Sequence, residues 1–195
     1  IGVGGIGMSA IALVLLKMGH KVSGSDAKAS KMTQKIEASG GRFYLGHDAK
    51  NIKGADIIVF SSSITPENPE LKAARDRKVT TLHRADMLAL IMNGRKGIAV
   101  TGAHGKTTTS SLIAHILFKA GLDPTAILGG EVKSLGGNAR TGKGEYFVVE
   151  ADESDGSFVH LKPFYGVVTN IDAEHLDYYR NMGEIISWYL KFIGN

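Results

Sequence analysis

Apolar residues recur with a helical period near the start of the chain. Met8, Ile11, Leu15 and Met18 fall at spacings of three and four, and Gly19 ends the run. Residues 21–25 then read as a short strand ending at Asp26, residues 31–39 as a helix and residues 42–45 as a strand. Residues 56–60 read as a buried strand running into Ser61-Ser62-Ser63. Residues 69–77 predict a helix, 79–82 a strand and 84–92 a helix. Strands alternating with helices predict a parallel sheet covered on both faces, with ligands at the carboxyl ends of its strands.

Asn93-Gly94-Arg95-Lys96-Gly97 is a polar, glycine-bearing break, and it predicts two domains, residues 1–94 and 95–195. Beyond it, residues 98–101 restart as a strand. Leu112, Ile113, Ile116, Leu117 and Ala120 predict one apolar helix face, closed by Gly121. Further strands are expected from Thr125, over 146–149 and over 166–169, and a last helix carries Ile185, Ile186, Trp188, Tyr189 and Phe192.

Composition narrows the class. Hydrophobic residues make up 43% and charged residues 22%, as in ordinary globular chains. The 25 glycines in 195 residues are roughly twice the usual ~7% and imply tight turns or close approach of backbone to a ligand. The absence of cysteine excludes a disulfide framework and thiolate metal sites, and fits a cytoplasmic location. Net charge is +4, but Lys and Arg are scattered, so no nucleic-acid-binding stripe is expected. The longest apolar run, residues 10–16, is far short of the ~20 residues needed to cross a bilayer, so no membrane partner is expected. Nothing in the pattern specifies an oligomeric state.

Two glycine loops carry candidate chemistry. Gly2, Gly4 and Gly7 form G-x-G-x-x-G before the first helix, and Asp26 stands 19 positions after Gly7. That is where a dinucleotide fold places a ribose-binding carboxylate, with phosphates at the helix N-terminus. Only Ile1 precedes Gly2, so the first strand is expected to be cut short. The second loop, TGAHGKTTTS, has the end of a phosphate loop but Val100 where its first glycine belongs. Its context is nevertheless strand, glycine loop, helix. Thr107, Thr108 and Thr109 are poor helix formers that offer hydroxyls to a metal; simple capping is the plainer reading. Downstream, Glu150-Ala151-Asp152-Glu153-Ser154-Asp155 puts four carboxylates in six residues at a strand end. Beside a phosphate loop such a group suits Mg²⁺, and a solvated acidic loop is the alternative. His175, at another strand end among acids, is a candidate site residue, whereas His115 and His160 read as structural.

The stretches GVGGIGMSAIA (residues 2–12), TGAHGKTTT (101–109), EADESDGSF (150–158) and TNIDAEHLDYY (169–179) together resemble the Mur ligase family, whose phosphate loop is shortened in this way. The resemblance implies an α/β fold: a Rossmann-like parallel-sheet domain, then part of a P-loop ATPase α/β domain. It implies that ATP phosphorylates the lactyl carboxylate of UDP-N-acetylmuramate and that the amine of L-alanine displaces the phosphate. Lys106, Glu150 and His175 would be catalytic. Gly102, Ala103, His104, Gly105, Lys106, Thr107 and Thr108 would hold ATP, Ala103 through its backbone. Thr107 and Glu150 would hold one Mg²⁺, and His175 a second. Gly4, Gly5, Gly7, Met8, Ser9, Asp26, Ser61 and Ser62 would hold the UDP-sugar rather than NAD. The alternatives are a ligase adding a murein tripeptide to the same sugar, disfavoured by Ser154, and a nicotinamide-dependent oxidoreductase. The resemblance also implies a C-terminal domain outside these residues, so the 195 residues alone are expected not to form the amide.

Overall fold

The computed structural model describes residues 1–195 and resolves into two compact units, Ile1–Met87 and Leu88–Asn195. The division falls ahead of the polar stretch at 93–97 where the sequence predicts it.

The first unit contains α1 (Ile6–Lys17), β1 (Ser23–Asp26), α2 (Lys31–Ala38), β2 (Arg42–Leu45), β3 (Ile57–Phe60), α3 (Pro69–Asp76) and β4 (Thr80–His83), and α4 (Arg84–Met92) begins in it. Strands β1 and β2 pair in parallel, as do β3 and β4. Residues 1–3 link the two pairs. The Gly2 and Val3 N–H groups both donate to Ser25 O, at 2.8 and 3.0 Å, and Ser61 N–H donates to Ile1 O at 3.2 Å. These residues take the place of a central strand.

Local signals explain the helix starts. Ser30 and Thr33 form a reciprocal capping box at α2, and Asn68 caps α3 ahead of Pro69. Val3, Ala12 and Ile36 form one buried cluster; Ile1, Ile52, Ile58, Leu71 and Ala74 form another. The strand expected to be buried over 56–60 is only partly so. Ile58 packs into the second cluster while Ile57 is 46% exposed, because neighbouring strand residues face opposite ways.

The second unit contains β5 (Lys96–Thr101), α5 (Lys106–Lys119), β6 (Thr125–Val132), β7 (Gly137–Arg140), β8 (Tyr146–Glu150), β9 (Tyr165–Val168) and α6 (Met182–Ile193). They build a five-stranded sheet in the order β7-β6-β8-β5-β9. The central β5 pairs in parallel with β8, Val100 opposite Glu150, and with β9, Thr101 opposite Val168. All pairings are parallel except β7, which returns antiparallel on β6. The sequence gives no strand signal there, since Gly-Asn-Ala-Arg holds no β-branched or aromatic residue.

Ile98, Ala114, Ala126, Leu128, Leu135 and Val148 form the core of this unit. The expected face of α5 is borne out in part, since Ile113 and Leu117 pack against this core. Ser110 and Ala114 are buried, whereas Leu112 and Ile116 are 56% and 63% exposed. Apolar residues surround much of this helix, so spacing alone draws the stripe too wide; small side chains let the sheet-facing side approach closely. No helix is long and apolar enough to cross a membrane.

Candidate functional site

Strand β5 ends at Thr101, and the chain turns through residues 102–105 into α5. Gly102 must be glycine: its φ is +131°, and a Cβ there would collide with Thr169 Oγ1 and the Asn170 backbone. Thr169 and Asn170 follow β9 and clamp the loop. Asn170 Oδ1 accepts from His104 N–H at 2.9 Å, and Asn170 Nδ2 donates to His104 O at 2.9 Å. Thr169 Oγ1 donates to the same carbonyl at 2.6 Å. The Ala103 N–H donates to Asn170 O at 3.3 Å. The N–H groups of Ala103 and His104, expected to face phosphate, are thus engaged by Asn170.

The amides left for an anion are those of the helix start. No side chain caps α5, whose N-cap Gly105 is left-handed at φ 81°. The first-turn N–H groups, with the helix dipole behind them, favour a bound anion. Residues 103–108 and Glu150 line a cavity of about 370 Å³ at this point. That volume suits a phosphate-bearing ligand.

Glu150, at the end of β8, accepts from Gly129 N–H at 2.9 Å. A Cβ on Gly129 would overlap that carboxylate, and one on Gly130 would come within 3.3 Å of Thr107 Cγ2. Two glycines in β6 thus open room for Thr107 and Glu150 in the same cavity. A hydroxyl and a carboxylate there are oxygen donors that fit Mg²⁺.

The acidic run does not act as one cluster. Asp152 Oδ1 and Asp155 Oδ1 accept from the N–H groups of Ser154 and Ser157 and so shape turns. Glu153 points inward, its side chain 4% exposed. Its Oε1 lies 2.8 Å from Lys106 Nζ, which also donates to Gly102 O at 2.7 Å and Ala103 O at 3.2 Å. Its Oε2 is buried without a hydrogen-bond partner. Burial pushes the Glu153 carboxyl above its ordinary range, and the hydrogen bond from Lys106 opposes that shift.

His175 adjoins the same carboxylate, with Nε2 3.5 Å from Glu153 Oε1. Donor atoms of Glu153, Glu174 and His175 lie within 4.8 Å of one another, a set that fits a second divalent cation. His175 has φ 55°, a left-handed backbone that costs a non-glycine residue roughly 1–2 kcal/mol. The N–H groups of Tyr178 and Tyr179 hold its carbonyl, each at 2.9 Å, and the Tyr179 hydroxyl donates to Glu153 O. Buried Tyr179 thereby ties the His175 turn to the acidic loop. His104 lies outside this group, exposed, with ring nitrogens 3.6 Å from carboxylate oxygens of Asp172 and Glu174.

In the first unit, the glycine loop packs on Asp26. Asp26 Oδ2 accepts from Gly4 N–H at 2.9 Å and Oδ1 from Lys28 N–H at 3.2 Å, so this carboxylate holds the loop. Gly5 and Gly7 open α1. Met8 and Ser9 lie in the first turn of α1. Both are buried; the Ser9 hydroxyl donates to Ile6 O and its N–H to Gly5 O at 2.8 Å. Ser61 Oγ lies 3.2 Å from Ser63 Oγ. Ser62 Oγ is 3.0 Å from His83 Nε2 and accepts from Arg84 Nε at 3.3 Å.

Sequence reasoning thus missed Asn170, Thr169, Gly129, Glu153 and Glu174. Asn170 and Glu153 stood within quoted motifs, but their partners are 66 and 47 positions away in sequence.

The chain matches the model of the Mur ligase family catalytic domain over residues 1–112 and that of the Mur ligase middle domain over residues 100–195. It is 53% identical over 193 residues to a UDP-N-acetylmuramate–L-alanine ligase of Geobacter sp. (strain M21), covering 99% of this chain and 42% of that protein. The ligase of the same name from Aquifex aeolicus is 49% identical, with 100% and 43% covered. The chain therefore spans about two fifths of the length of these curated relatives. The crystal structure of a UDP-N-acetylmuramate-alanine ligase from Thermotoga maritima superposes with a TM-score of 0.92 at 34% identity, covering 100% of this chain and 46% of that one. A UDP-N-acetylmuramate:L-alanyl-gamma-D-glutamyl-meso-diaminopimelate ligase from Neisseria meningitides gives 0.91 at 30% identity, with 99% and 66% covered.

Proposed function

The chain belongs to the Mur ligase family, and on that premise we propose that it serves an ATP-dependent ligase joining L-alanine to the lactyl carboxylate of UDP-N-acetylmuramate. The observation that carries the reading is the convergence at the start of α5. Uncapped amides, Lys106, Thr107 and Glu150 line one cavity, a set of groups whose chemistry suits the phosphates of a nucleoside triphosphate. The nicotinamide reading leaves all of these without a task.

In the reaction, the carboxylate oxygen of the sugar attacks the γ-phosphorus of ATP and ADP leaves. The L-alanine amine then attacks the acyl carbon, phosphate departs with the electrons of its bond to that carbon, and the nitrogen releases a proton. The first-turn amides of α5 hold phosphate oxygens, and Lys106 neutralises charge on the group in transfer. Thr107 and Glu150 would hold one Mg²⁺ and His175 a second, and these ions would supply further charge neutralisation. The Gly4–Gly7 loop and Asp26 receive the UDP portion in the first unit. Such a protein works in the cytoplasm, where ATP and nucleotide sugars are found.

The relatives near 50% identity that carry the alanine-ligase name favour L-alanine over the tripeptide as acceptor. The test is mass spectrometry of the full-length protein's products. It would receive ATP, Mg²⁺ and UDP-N-acetylmuramate with either L-alanine or the L-alanyl-γ-D-glutamyl-meso-diaminopimelate tripeptide. Product with alanine is expected. Product with the tripeptide alone would transfer the assignment to the second reading, and no product with either would refute both.

A further inference from the structure

We infer that Glu153 is a positioning residue that holds Lys106 in the nucleotide-free loop and surrenders it to the γ-phosphate of an arriving triphosphate. The inference rests on the reading of the loop as an ATP site.

An ammonium has three N–H donors. Those of Lys106 meet three acceptors: Gly102 O, Ala103 O and Glu153 Oε1, at 2.7, 3.2 and 2.8 Å. A γ-phosphate cannot bond to this ammonium unless one acceptor is released. Gly102 and Ala103 belong to the loop itself and travel with it. Glu153 comes from the turn after β8, 47 positions along the chain, and is the acceptor that a phosphate oxygen can replace.

Glu153 is built for exchange rather than for a permanent pair. Its backbone is anchored, since the buried Tyr179 hydroxyl donates to its carbonyl. Its carboxylate is unevenly satisfied, because Oε1 receives Lys106 while Oε2 is buried without a partner. A buried ion pair with one unsatisfied oxygen is a weak competitor for the lysine. Once released, the carboxylate is not stranded. His175 Nε2 already lies 3.5 Å from Oε1. The exchange also separates ATP from ADP, since ADP has no γ-phosphate to take the place of Glu153.

The test uses the full-length protein and compares wild type with Glu153→Gln, which keeps the shape and removes the charge. Binding of a non-hydrolysable ATP analogue with Mg²⁺ and of ADP with Mg²⁺ is measured by calorimetry, and turnover at saturating ATP separately. Glu153→Gln is expected to bind the triphosphate about tenfold more tightly, the scale of one charge-assisted hydrogen bond that no longer has to break. ADP affinity should stay within about twofold, and turnover at saturating ATP should stay within about threefold, because Lys106 has already left Glu153 in the ATP complex. If Glu153→Gln does not fold, Glu153→Asp withdraws the carboxylate by one methylene and carries the same comparison, with a smaller shift in the same direction. Affinities for triphosphate and diphosphate that move together, or do not move, would overturn the inference. A wild type that binds no triphosphate would overturn the ATP reading beneath it, a failure visible before any variant is made.

Discussion

The side-chain amide of Asn170 grips the backbone of His104 from both sides, accepting from its N–H at 2.9 Å and donating to its carbonyl at 2.9 Å. A residue at the end of one strand thereby fixes the loop that leaves its neighbour. Replacing Asn170 with alanine removes both bonds, each about 0.5–1.5 kcal/mol. ATP·Mg²⁺ affinity of Asn170→Ala is expected to fall about tenfold or more, with UDP-sugar binding unchanged. Calorimetric titration with each ligand checks this, and an unchanged ATP dissociation constant would remove Asn170 from the loop's support.

Lys106→Ala should abolish phosphate transfer. The cation that faces the transferring group is lost from a partly buried site, and the expected loss is on the order of 10³-fold in rate. UDP-sugar binding should be nearly unaffected, because the glycine loop of the first unit does not use this residue. A turnover within about tenfold of wild type would contradict the role.

Glu150→Gln and His175→Ala should each raise the Mg²⁺ concentration needed for half-maximal activity more than they raise the need for UDP-sugar. An amide cannot replace the charge of a carboxylate ligand, and alanine offers no donor at all. Titrating Mg²⁺ at saturating ATP reads the effect. Unchanged midpoints in both variants would leave the metal assignments without support.

Glu153 also makes a pH-dependent contribution to stability. Burial raises its carboxyl above the ordinary value of 4.5, so the folded state holds the proton more firmly than the unfolded chain. Its contribution is therefore fully present below that value and is lost as pH rises through the raised range. With nucleotide and metal absent, the melting temperature of Glu153→Gln relative to wild type should increase between about pH 4 and about pH 7. A flat difference across that range would show that the carboxylate is as comfortable in the fold as in water.

Much of this was legible in the chain because it is local. Helix starts at Ser30 and Asn68 follow from their own capping chemistry, and the strand–loop–helix context around Lys106 lies within one stretch. What escaped depends on partners far away in sequence. Gly129 reads as an ordinary strand glycine until Glu150 is set against it, and Glu153 reads as one acid among four until Lys106 meets it. The expected face of α5 is right at Ile113 and Leu117 and too wide at Leu112 for a related reason: Leu112 and Ala114 are told apart only by the sheet that covers one of them. Strand β7 has no propensity of its own and forms because β6 offers it an edge.

The register of the sheet has a consequence for how such a chain can change length. Val100 lies opposite Glu150, and Thr101 opposite Val168, one residue before Thr169 and Asn170. Successive side chains on a strand face opposite ways, so deleting a single residue within β8 ahead of Glu150 would turn Glu150 away from Thr107 and bring Ala151 to its place at the cavity. A deletion in β9 would likewise draw Asn170 away from His104. The turn at residues 133–136 is exposed apart from Leu135, which the core holds, so residues added beside that anchor would leave the register of the cavity strands untouched. Length variation among natural descendants of this chain is thus expected to accumulate at that turn and to be purged from β5, β8 and β9, where a frame of one residue separates a working cavity from an inert one.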